Sequence, residues 1–331
     1  MLRALAIVCR EELTNGTVYP SILRCLAALR ILFFPRAIVR FNSMRIMLKL
    51  RHPTRKHDPL YFLAHNYYLS NQFTLGQRVQ VAMDHHKYEL QAYKREYMRE
   101  VYRSDGVLLW QRSFGAFHFT IVLIATPDNR HEGDLSVILS VGDVPLCMMS
   151  FCYLDAAIFG LSSYMAMLIS RNQTNRTPFR DLFDRCFKQN TPQLFCLSAV
   201  CGIAAANEFK TIFAIKHDAQ IAYEEPLDAG FRNSYTALWE KFDAVEVDRH
   251  VYMLNVPLKL SPVELVNPVH RRRARARRGY WDEIGQSARA SIARYRTVSG
   301  SDQPFEAIRI RGLRSPPGEA AFGRAVDKTG A

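Results

Sequence analysis

The sequence predicts an α+β fold, an N-terminal helical region followed by a mixed, largely antiparallel sheet with flanking helices. Three observations carry this. Apolar residues recur at helical spacing up to residue 103. Asp105-Gly106 then interrupts the pattern, and from Val107 the period becomes two. Beyond the two hairpins that follow, helical and strand patterns alternate as far as residue 256. With 331 residues, 48% hydrophobic and 23% charged, the chain is no collagen, coiled coil or wholly disordered polymer.

The first segment, 1–59, reads as a basic amphipathic extension. Its apolar run over 22–50 is interrupted by Arg24, Arg30, Arg36, Arg40 and Arg45 and broken by Pro35. That pattern predicts helices at 20–34 and 36–50 rather than a membrane span, which needs about 20 apolar residues in a row. The main domain, 60–296, opens with helices at 60–70 and 74–103. Leu75, Val79, Ala82 and Met83 share one face of the second, as do Tyr93, Tyr97 and Val101. Strands at 107–112 and 116–125 form a hairpin near Gly115, and 135–141 and 146–154 form another about Gly142-Asp143. A strand over 161–170 comes next, though its Met and Ala content also fits a helix. Helices at 178–190 and 193–207 are separated by Thr191-Pro192, since proline starts a helix well. A strand at 211–215, a helix at 231–242, a strand at 247–256 and a basic helix at 263–295 complete the domain. The remainder, 297–331, is rich in Ser, Gly, Pro and charge and is expected to be disordered.

The net charge of +13 is uneven. Residues 1–60 carry 11 Lys/Arg against 3 Asp/Glu, and residues 268–296 carry 9 against 2, while the body between is slightly acidic. The basic ends therefore point to an anionic partner. The strongest local signal is the run from His270 to Arg278, where Arg271, Arg275 and Arg278 share a helix face with Arg272 alongside. Arginine forks bind phosphate, which makes these four candidate anionic-ligand residues, for a membrane surface or lipid before nucleic acid. Only Tyr280 and Trp281 stand near, which argues against a base-stacking platform.

The seven cysteines are odd in number and show no CxxC spacing, so buried thiols are expected and neither a zinc site nor a disulfide framework is. His85 and His86 are adjacent on a helix and point apart, so no metal site is assigned. No cleavable signal or span is read, which predicts a cytoplasmic protein with peripheral contact to the inner membrane.

Tyr61-Phe62-Leu63-Ala64-His65, Phe73-Thr74-Leu75-Gly76-Gln77-Arg78 and His85-His86 resemble the opening of the VirK/YbjX-like family of bacterial proteins. Trp110, Glu132-Gly133-Asp134-Leu135-Ser136, Ser150-Phe151, Thr191-Pro192, Ala214-Ile215, the stretch from Tyr235 to Trp239 and the Arg-rich run with Tyr280 continue the likeness over roughly 60–295. The resemblance implies a link to envelope stress, antimicrobial-peptide resistance and virulence, with no agreed molecular activity. The chain departs from the family pattern at Lys87, at Lys216-His217 with Gln220, and at Arg171-Asn172-Gln173, where the family carries a glycine.

The element order from 135 to 256 is also similar to the acyl-CoA-dependent N-acyltransferase (GNAT) fold. That likeness implies an acyl-CoA or acyl carrier protein as co-substrate, with its phosphates near the polar stretch 171–178. The cofactor-binding candidates are therefore Arg171, Asn172, Gln173 and Arg176. His217, at the end of a strand, is the catalytic candidate, because imidazole can take a proton near neutral pH. Two function classes stay open, an acyltransferase working on an amine and a non-catalytic peripheral membrane or anionic-ligand-binding stress factor.

Overall fold

The computed structural model of the chain describes residues 68–297, other than 104, 127–131, 175–176, 178, 226–229, 231 and 234. The readings made for 1–59, for 60–67 and for the tail beyond 297 lie outside the described residues. The described elements give the expected α+β architecture, with six α-helices and one eight-stranded, mostly antiparallel sheet.

Helix α1 (Leu75–Ala92) starts at a capping box. The Gln77 N–H donates to Thr74 Oγ1, and the Thr74 N–H donates to the Gln77 side chain. The single helix expected over 74–103 is two, because Tyr93 turns extended and bridges to Arg296 at the far end of the chain. Helix α2 (Arg95–Arg103) resumes after that elbow. The expected helix at 60–70 fails where it can be seen, since Tyr68 and Ser70 form a bridge.

The sheet begins with a five-stranded meander of β1 (Val107–Phe114), β2 (Phe117–Ala125), β3 (Leu135–Val141), β4 (Val144–Asp155) and β5 (Met165–Thr174). Each is antiparallel to the one before. Here β5 starts and ends four residues later than its hydrophobic pattern indicates. Its polar end, Arg171 to Thr174, stays paired with β4 as far as Cys147. A ladder partner thus extends a strand past the end of its apolar run.

A crossover of α3 (Arg180–Cys186) and α4 (Pro192–Ala206) leads to β6 (Thr211–Ile215), which lies parallel to β5. The helix expected at 178–190 shortens to α3; in the span expected as a helix at 231–242, residues 232 and 233 and then α5 (Thr236–Glu240) are helical. The strand expected at 247–256 is instead a hairpin, β7 (Val245–Asp248) and β8 (Val251–Asn255). The sheet order is β1-β2-β3-β4-β5-β6-β8-β7. Helix α6 (Pro268–Ala293) follows, capped by the Asn267 side chain, which accepts the Val269 N–H.

Alternate residues of the central strands feed two apolar layers. Cys152, Leu154, Ala166, Leu168, Phe213 and Ile215 pack with Val79, Val81 and Ala82 of α1. Phe151, Tyr153, Met167, Ile169, Ile212 and Ala214 turn to the other face, with α4 and α6. Helix α4 lies between that face and α6 and is apolar almost all round, as its position demands. Its Gly202 lets α6 approach closely, since a Cβ there would sit 2.3 Å from the Gly285 carbonyl oxygen. Among the described residues no helix is long and apolar enough to cross a membrane. Cys147, Cys152 and Cys196 are buried free thiols, as expected, while Cys186 and Cys201 are partly exposed.

Candidate functional site

The parallel pairing of β5 with β6 covers only Met167 to Ile169. At the next residue the β4–β5 register slips, since Ser150 faces Arg171 and Phe151 faces Ile169. Ser170 is the extra residue, a bulge of the kind that bends a strand and re-aims its side chains. Its hydroxyl donates to the Glu132 carbonyl, which pins the segment before β3 onto the bulge. Gly133 permits this contact. It has φ +139°, and a Cβ there would stand 2.9 Å from the Phe151 nitrogen.

Polar groups gather where the β5–β6 pairing stops. Arg171 Nη1 lies 2.8 Å from a Glu132 carboxylate oxygen, and both side chains are largely buried. Burial raises the Glu132 carboxyl above its ordinary value, and Arg171 opposes that rise. The Asn172 N–H donates to the Tyr235 hydroxyl at 3.1 Å. Burial holds that phenol well above its ordinary range; the Asn172 bond works against the shift and the Glu132 charge adds to it. Next in sequence to Tyr235, Thr236 has its hydroxyl 2.7 Å from His217 Nδ1. A base-capable carboxylate and a phenol that keeps its proton thus lie beside the end of the β5–β6 pairing, and the imidazole of His217 is tied to the residue after that phenol.

Of the residues singled out from sequence, Arg171 and Asn172 lie together here, and His217 bonds Thr236, the residue after Tyr235. Arg171, Asn172 and Gln173 stand on a strand, not in the loop expected for them, and Gln173 is exposed opposite Met148. Arg176 lies outside the described residues. The arginine run is separate, on α6. Arg271 donates to the Glu264 and Val266 carbonyls at 2.7 and 2.9 Å, and Arg278 donates to the Ser261 carbonyl at 2.6 Å. Arg272 and Arg275 are exposed. Sequence reasoning missed Glu132, Ser170 and Tyr235 as site residues, because their meeting depends on which strands become neighbours.

A second cluster lies on α1. Glu89 falls four residues after His85 and three after His86, so that ligand-type atoms of all three lie within 4.8 Å of one another. The adjacency of the two histidines concealed this shared partner. The Tyr153 N–H donates to His85 Nδ1 at 3.1 Å, which places the proton of a neutral imidazole on Nε2. That atom faces Glu89 at 3.2 Å, and Tyr102 donates its hydroxyl to the same carboxylate. A cation on His85 would need Nε2 stripped of that proton, so the donor set fits a hydrogen-bonded network better than a metal. Burial pushes the Glu89 carboxyl up, but His85 and then His86 outweigh it and hold it at about 2.

A family described as a protein of unknown function (DUF535) matches residues 26–290. No curated protein and no solved structure matches the chain.

Proposed function

The chain belongs to the DUF535 family of unknown function, so its activity has to come from its site, and we propose that it transfers an acyl group from a thioester to an amine. The observation that carries this reading is the bulge at Ser170, beyond which β5 is no longer paired with β6, with Glu132, Arg171, Asn172 and Tyr235 linked beside it. The GNAT likeness calls for a splay between these two strands. Ligands of α/β sheets also favour places where neighbouring strands part.

Beyond Ile169 the edge of β5 that faced β6 is open to other groups, and Tyr235 takes its Asn172 N–H. An extended arm that carries amides, such as the pantetheine of coenzyme A or of an acyl carrier protein, fits such an edge in place of a strand. In the reaction the amine nitrogen bonds to the thioester carbonyl carbon and the C–S bond breaks. Glu132 takes the proton that the amine loses, and Tyr235 gives one to the departing thiolate. Return of the proton from Glu132 to Tyr235 restores the site and leaves an amide and a thiol. Arg171 positions Glu132, and His217 positions the Tyr235 segment through Thr236. The biological setting is the one the VirK/YbjX-like resemblance implies, envelope stress and resistance to antimicrobial peptides.

Thermal denaturation of the full chain with acyl-CoA, acyl carrier protein or inorganic phosphate tests the reading. A higher Tm with a thioester ligand but not with phosphate supports it. No shift with either thioester, and no thiol release with amine acceptors, overturns it.

A further inference from the structure

We propose that the turn before α6 and the first two turns of that helix form a contact surface for an anionic phospholipid bilayer. The inference stands independently of the acyl-transfer reading. Leu265 and Val269 are the two most exposed large apolar side chains among the described residues, 78% and 75% accessible, against 54% for the next, Val245. Leu265 ends a short 3-10 turn, Val263–Leu265, and Val269 is the second residue of α6. Arg271 donates to the carbonyls of Glu264 and Val266, on either side of Leu265. The turn is therefore tied to the helix, with the leucine left outward.

The helix leaves the body here. No residue of α6 before Ala274 is buried. Arg272, Arg273 and Ala276 stand three, four and seven residues after Val269, so the four share a face, and all four are exposed. From 259 to 279 there are seven Lys or Arg and one acidic residue, Glu264.

Single exposed apolar residues are ordinary. An exposed leucine in the turn and an exposed valine at the start of the helix, with arginines on the valine's face, match the layered chemistry of a bilayer surface. The arginines meet lipid phosphate, and the leucine and valine reach the acyl boundary. Nucleic acid offers phosphate but no apolar layer for these tips. The neighbouring aromatics are also committed elsewhere, Tyr280 against Phe187 and Trp281 against Phe242.

The test uses the full chain and sedimentation with vesicles of phosphatidylcholine containing a quarter phosphatidylglycerol, or of phosphatidylcholine alone. Binding to the first and not the second is expected. Leu265→Ser with Val269→Ser weakens it by roughly tenfold or more at any salt. Arg272→Gln with Arg273→Gln weakens it at low salt, and that difference vanishes at about 1 M, where charges beyond roughly 3 Å are screened. In Leu265→Trp the fluorescence shifts to the blue on anionic vesicles. All three variants change exposed side chains, and unchanged melting curves establish that they fold. Unaltered vesicle binding in both pairs, no blue shift, or a blue shift on single-stranded RNA but not on vesicles overturns the proposal.

Discussion

Nη1 of Arg296 lies 2.8 Å from the side-chain oxygen of Asn207, joining the segment after α6 to the end of α4. Tyr88 of α1 and Tyr93 of the elbow donate to that same oxygen at 2.8 and 2.9 Å. Three stretches of chain far apart in sequence thus depend on one buried amide, whose nitrogen is itself given to the Ile203 carbonyl.

Asn207→Leu is therefore expected to destabilise by about 1–3 kcal/mol, since Arg296 keeps the Tyr88 oxygen and Tyr93 can turn to the Tyr153 hydroxyl, but the Tyr88 hydroxyl loses its acceptor. Urea unfolding measures this. A loss under about 1 kcal/mol would mean that water replaces the amide at no cost.

Tyr235→Phe removes the proposed acid while keeping the ring. Acyl transfer is expected to fall by about 10²-fold or more, while stability drops by only about 1–2 kcal/mol from the lost Asn172 partner. Thiol release under saturating thioester reads the first and thermal melting the second. An equal rate in the variant would remove Tyr235 from the chemistry.

Arg171→Leu strands the Glu132 carboxylate without its cation and should cost about 3–5 kcal/mol at neutral pH. Glu132 already has a raised value, and without Arg171 it rises further. A carboxyl whose folded value exceeds its unfolded one gains protons on folding, so the variant should recover stability as pH falls through that folded value. Adding Glu132→Gln should recover it at neutral pH. A pH-independent deficit would show that Arg171 matters by packing instead.

Glu89 has the opposite sign. Its folded value near 2 lies below the ordinary 4.5, so its contribution is complete above about pH 4.5 and is lost as pH falls toward 2. Glu89→Gln should flatten stability over that window. An acid limb as steep in the variant as in the parent would place the acid sensitivity elsewhere.

Gly202→Ala drives a methyl into the Gly285 carbonyl at 2.3 Å and the Ala288 methyl at 2.8 Å. Overpacking of this kind costs about 1–3 kcal/mol. Here the nearest atom is backbone, so α6 must move as a body. Calorimetry of Gly202→Ala against the exposed Gly76→Ala separates this clash from a general glycine effect.

The parts of this fold that were legible in the sequence are those with local signals. The alternation from Val107 gives the hairpins, and Thr191-Pro192 gives the start of α4. The elbow at Tyr93 carries no breaker residue and arises from a bridge to Arg296, more than two hundred residues away. The polar end of β5 and the small β7–β8 hairpin likewise follow from ladder partners, not from their own pattern. The site was half legible. Arg171, Asn172 and His217 were singled out by chemistry and position, whereas Glu132 and Tyr235 become neighbours only through the packing of distant segments beside the end of β5. His85 with Glu89 carried a readable spacing of four that its adjacent histidine obscured.

The five-strand meander bears on how the chain folds as it is made. From 107 to 174 every strand pairs with the one just completed, so each closure spans a short stretch and costs little chain entropy. The parallel strand β6 must wait for a crossover of 36 residues, 175–210, and α6 arrives last to cover α4. A nascent chain should therefore zip five strands while the apolar outer side of α4 stays uncovered. Hydrogen exchange pulsed early in refolding should protect β2 and β3 before α4. Should α4 be protected first, helix docking leads instead. In the cell the interval before α6 emerges is when the chain most needs a chaperone.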